Sequence, residues 1–206
     1  MRNSLSLRFW IVLALQIVLI LAVPAQAFYT QMNGRSLVLQ TAPVDPYSLF
    51  QGYSVTLGYD ISNVQNLSKL PGWKDIEAKQ KLERTPLNAD AASSEFYVIL
   101  EAPIGEGSRP PKPWKAVSVT GRRSDNLPAN QIALRGSDRQ GRIRYGLETY
   151  FIPEDQRDDI NQQIRQVNSQ VQGESSKPAF VVEAKVGADG NAVPMAIWLR
   201  DKRYQF

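Results

Sequence analysis

The run FWIVLALQIVLILAV, Phe9 to Val23, constrains this chain more than any other feature. Its fifteen residues contain one polar side chain, Gln16. As a helix it is apolar on every face, so it lacks the polar side that a surface helix of a water-soluble domain turns outward. Arg2 and Arg8 precede it, and no charge follows until Arg35. Cations on that flank hold the N-terminus in the cytoplasm and send the remainder across the membrane.

Two fates fit such a segment. The leading expectation is a membrane anchor: Phe9 to Tyr29 gives 21 residues, with Trp10 at one end and Phe28 and Tyr29 at the other as interfacial aromatics. The alternative is a signal peptide cleaved after Ala27, because Pro24-Ala25-Gln26-Ala27 supplies a small-x-small site. Either way residues 1–29 form one unit, and residues 30–206 form an extracytoplasmic domain.

Composition excludes several chemistries. The chain has no histidine and no cysteine, which removes Ser-His-Asp and Cys-His catalysis, disulfides and the usual zinc, haem and iron–sulfur ligand sets. No metal or cofactor is expected. Lys plus Arg total 24 and Asp plus Glu total 20; without Arg2 and Arg8 the balance is 22 to 20. That surplus is too small for nucleic-acid binding, which needs a clustered basic face.

The rest reads as an α+β chain, mainly β: an antiparallel domain of about eight strands and one amphipathic helix, behind the hydrophobic helix. Ser36 to Thr41 is a strand. Tyr53 to Ile61 alternates strictly, with Tyr53, Val55, Leu57, Tyr59 and Ile61 on one face. A short helix fits Trp73 to Leu82. Glu95 to Ala102 and Lys115 to Thr120 pair across PIGEGSRPPKPW, a stiff Pro/Gly loop in preference to a polyproline ligand. Gln131 to Arg135 and Gln140 to Phe151 pair across a turn at Gly136 to Gln140. Pro153 opens the amphipathic helix, residues 154–171, whose acidic first turns suit the helix dipole. Phe180 to Val186 and Ala192 to Leu199 form a hairpin at Asp189-Gly190, with Pro194 marking an edge or bulge.

Two blocks carry a resemblance. VDPYSLFQ, Val44 to Gln51, leads into GYSVTLGY, and RYGLETYFIPED spans Arg144 to Asp155. Together they resemble the GDYxxLxY family of membrane-anchored proteins. Gly52, Leu57 and Tyr59 match the motif letters, whereas Tyr53 and Ser54 stand at its Asp and Tyr positions, so the chain looks like a divergent branch. The resemblance implies a tethered extracytoplasmic domain and brings no catalytic residues.

The candidate site follows from those blocks. Tyr53, Ser54, Tyr59, Arg144, Tyr145 and Glu148 are candidates to line a cleft for a ligand or partner, while Gly52, Leu57, Gly146 and Pro153 are structural motif residues. The plainer expectation is a core strand with a tight turn at Gly52. Arg144 and Glu148, four apart on one expected strand, would share a face. The expected function is a non-enzymatic interaction or assembly module, tied to the membrane by residues 9–29 and serving an envelope or membrane partner. A ligand-binding module with a pocket between the two motif strands is the alternative. A serine–lysine hydrolase is a distant third, since Ser118 lacks the methionine-containing context of signal peptidases.

Overall fold

The computed structural model describes residues 2–42, 50, 51, 54–83, 94–105, 108–124, 126–139, 141–151, 162 and 180–205. Helix α1, Arg2–Asn33, leads. It bends by 41° between Phe9–Ala22 and Pro24–Asn33, as expected where proline removes an intrahelical hydrogen bond and crowds the preceding turn. Among the described residues no single helix is long and apolar enough to cross a membrane; the bent pair meets that test of length and composition together.

Strand β1, Arg35–Gln40, follows at once. It pairs antiparallel with β9, Phe180–Val186, which pairs with β10, Ala192–Leu199, and β10 with β11, Lys202–Gln205. These make a four-stranded sheet of order β1-β9-β10-β11. A second four-stranded sheet has the order β5-β4-β6-β7, from β4 Ser94–Glu101, β5 Lys115–Thr120, β6 Gln131–Arg139 and β7 Arg142–Arg144. A small third sheet, β2-β3-β8, joins Phe50–Gln51, Ser54–Thr56 and Thr149–Phe151. Helices α2, Val64–Leu67, and α3, Trp73–Glu83, lie between β3 and β4. The described domain is β-rich with few helices.

Both large sheets feed one core. Leu37, Leu39, Val182 and Leu199 from the first pack in the same apolar cluster as Phe96, Val98, Leu100 and Leu134 from the second. Their alternation along each strand sends one face inward. Burying each Leu stabilises the fold by about 1.5–3 kcal/mol before entropy is counted. The sheets are also stitched through backbone: Trp114 N–H donates to Val38 O at 2.9 Å, and Arg135 N–H to Gly190 O at 2.8 Å.

Several expectations hold. The strand after Gly34, the Trp73 helix, the β4–β5 pair and the β9–β10 hairpin are present, and the ladder slips between Pro194 and Ala196. Others are corrected. Regular strand in the motif ends at Thr56, although Leu57, Tyr59 and Ile61 remain buried and the segment turns into a 3-10 helix at Asp60–Ser62. The expected strand 140–151 is two strands in different sheets, and β6 runs on to Arg139 through most of the turn expected at Gly136 to Gln140, so the chain reverses by Gly141. Eleven strands are present among the described residues where about eight were expected. The amphipathic helix at 154–171 lies outside the described residues apart from position 162, which is helical.

Candidate functional site

The two motif blocks meet in the interior. Strand β3 is held on one side by β2 and on the other by β8, with Val55 opposite Tyr150. Beyond Thr56 the stitching continues: Leu57 N–H donates to Glu148 O at 2.8 Å, Ala42 N–H to Gly58 O at 2.9 Å, and Tyr59 bridges Thr41. The alternation seen in sequence therefore survives as alternating burial after the regular ladder has ended.

Tyr59 is fully buried, and a buried hydroxyl requires a partner. Its proton goes to Leu147 O at 2.5 Å, and its oxygen meets the Tyr150 hydroxyl, also at 2.5 Å. The Tyr145 hydroxyl donates to Ile61 O at 2.6 Å, so the second block reaches back to the first through two phenols. Between them the chain reverses at Gly146, where φ is +77°, a conformation that glycine adopts without a Cβ clash. The Glu148 carboxylate closes that reversal, accepting the Tyr145 N–H at 2.5 Å.

Burial pushes the Tyr59, Tyr145 and Tyr150 phenols above their ordinary range, and the neighbouring Glu148 carboxylate adds to each shift. All three stay protonated near neutral pH, as their hydrogen bonds require. The assembly is a junction of satisfied polar groups.

The candidates thus divide. Tyr59, Tyr145 and Glu148 come together, with Leu57 buried beside them and Tyr150 added by the structure. Arg144 is exposed on the edge strand β7, opposite Ser137, and is not drawn in. The face expected to be shared by Arg144 and Glu148 does not exist, because β7 ends at Arg144 and the chain reverses before Glu148. Ser54 pairs with Phe151 and Gln51 in the small sheet. Gly52, Tyr53 and Pro153 lie outside the described residues.

A different opening is present. A cleft of about 840 Å³ lies beside the end of β1 and the start of β5, walled by Leu39, Ile61, Leu67, Pro113 and Trp114 and flanked by the charges of Asp60, Glu101, Lys112 and Lys115. Ile104 stands at its edge, 96% exposed. Trp114 is fixed there by its backbone bond to Val38. The sequence signal was the PPKPW stretch, which marks a stiff loop but does not say what it leans over. Among the described residues no group of three or more acidic side chains could hold a metal.

The comparisons agree with the motif blocks. The family model described as GDYXXLXY protein matches residues 16–197, and the chain belongs to that family. Neither the curated proteins nor the solved structures contain a match.

Proposed function

We propose that this chain is a membrane-tethered extracytoplasmic domain that works by binding a partner and not by catalysis. The observation that carries it is α1. Apart from Leu13, the large apolar side chains from Phe9 to Leu21 stand 47–71% exposed, on a helix that runs into the domain without a linker. So much exposed apolar surface marks contact with membrane or protein, and the arginines before it set the orientation. The lack of histidine and cysteine supports a non-enzymatic role.

Fractionation of a bacterial host expressing the full chain, with intact-mass analysis, tests the tether. The expected result is an uncleaved chain in the membrane fraction that resists alkaline extraction. A chain beginning at Phe28 in the soluble envelope fraction would overturn it.

The cleft beside Trp114 favours a second reading, in which the domain binds an apolar ligand carrying one polar end. Such pockets are mostly apolar with a few placed polar groups. A Trp114→Ala variant that folds but loses a ligand captured by the parent protein would support it.

A further inference from the structure

The second half of α1, Pro24–Asn33, turns two polar side chains to the domain and leaves its largest apolar ones exposed. Gln26 and Thr30, one helical turn apart, share a face, and both meet the β9–β10 turn. Gln26 Nε2 donates to Asp189 Oδ2 at 2.9 Å in the β9–β10 turn. Thr30 is buried, its carbonyl accepting the Gly34 N–H at 2.8 Å. Gly187 leaves room for it: a Cβ there would lie 2.9 Å from the Thr30 hydroxyl. Away from that contact the large side chains are apolar and exposed, with Phe28, Tyr29 and Met32 at 62–66% and Gln31 exposed among them.

The outward face is continuous with the exposed apolar surface of Phe9–Ala22, and no charged residue interrupts residues 9–34. Length adds a second reason. Fifteen residues at about 1.5 Å each cover only about 22 Å, short of a hydrocarbon core of about 30 Å. Six more residues beyond the 41° bend supply most of the shortfall.

We propose that Pro24–Asn33 passes obliquely through the membrane interface, with Phe28, Tyr29 and Met32 in lipid and Gln26 and Thr30 on the domain. The domain then sits flush on the bilayer, with its β9–β10 turn at the headgroups. The occupant of the exposed face is phospholipid, as the aromatic pair at the end of an apolar run suits the interface. This rests on the tether proposed above and adds a fixed orientation to it.

The chain has no cysteine, so single cysteines report on it cleanly. Full-length Val18→Cys, Phe28→Cys, Met32→Cys and Lys69→Cys proteins would be reconstituted into phosphatidylcholine vesicles and treated with a water-soluble maleimide. Lys69 is an exposed domain residue and serves as the reference. The expected result is labelling at positions 18, 28 and 32 about tenfold or more slower than at 69, unchanged on dilution to about one chain per vesicle. Protection at 18 with free labelling at 28 and 32 would keep the tether and overturn the interfacial helix. Free labelling at 18 as well would overturn the tether itself. Protection at 28 and 32 that disappears on dilution would assign the face to a second copy and overturn the lipid assignment.

Discussion

The tyrosine junction and the end of α1 solve the same problem in opposite directions. At the junction, polar atoms from two distant segments are taken out of water and matched with one another: Tyr59 with Leu147 and Tyr150, Tyr145 with Ile61, Glu148 with the chain reversal. At α1 Gln26 and Thr30 also face the domain, yet the large apolar side chains stand exposed. The first arrangement holds a fold together in any solvent. The second is the arrangement expected under the proposed tether, where the outside is apolar too. The junction is therefore where stability should be most sensitive, and α1 where stability should be least informative.

The largest effect should come from Tyr59→Ala. Removing a fully buried ring leaves a cavity and strips partners from Leu147 O and the Tyr150 hydroxyl. A loss of about 3–5 kcal/mol is expected, measured by urea unfolding of the domain. A loss below about 1 kcal/mol would mean that the site collapses around the gap and that the junction is not a keystone.

Tyr59→Phe isolates the hydroxyl. The ring remains, but a buried carbonyl loses its donor, at a cost of about 1–3 kcal/mol. Equal effects for the Ala and Phe variants would place the stabilisation in the hydrogen bonds; a neutral Phe variant would place it in packing.

Alkaline titration tests the junction as a whole. The folded phenols titrate above their unfolded value of about 10. Above that pH the unfolded chain releases protons that the folded chain keeps, so the folded state binds more protons and stability falls as pH rises. Below about pH 9 these groups make no contribution to the slope. Tyr59→Phe should flatten the alkaline limb. An identical limb in the variant would mean that the phenols ionise without unfolding.

The contrast also explains what could be read from the sequence. Alternation along β4, β5, β9 and β10, and the Asp189-Gly190 turn, are local signals, and they led to the right hairpins. Tyr59 was legible as core-facing for the same reason. Its partner was not, because Leu147 lies 88 residues away and nothing local encodes that distance. The split of residues 140–151 into two sheets depends on Glu148 clamping the Tyr145 amide, a side-chain contact that pairing propensity does not register. Strand β11 was missed because Arg200 makes its turn at φ +54°, a position where glycine or asparagine would have been the signal. The cleft is assembled from segments as far apart as Leu39 and Trp114, each unremarkable alone. The polar stripe of Gln26 and Thr30 was present in the sequence, but the apolar count masked it.

The smallest expected effect bears most directly on α1. Gln26→Ala removes one hydrogen bond at an exposed site, so the unfolding free energy of the domain should stay within about 0.5 kcal/mol. The orientation of α1 should change all the same. Although burial opposes ionisation of Asp189, hydrogen bonds from Asn191 and Gln26 hold its carboxyl below the usual range. A depressed carboxylate contributes above its unfolded pKa, and the contribution is lost as pH falls through the folded value. Loosening of the joint is therefore expected both in the variant at neutral pH and in the parent chain below about pH 4. Spin labels at Met32→Cys and Lys69→Cys would read this as a broadened distance distribution. A variant that loses more than about 1 kcal/mol would make α1 part of the folding unit. An unchanged distribution in both conditions would mean that Thr30 and the Gly34 joint suffice to fix the helix, and that the Gln26 contact is incidental.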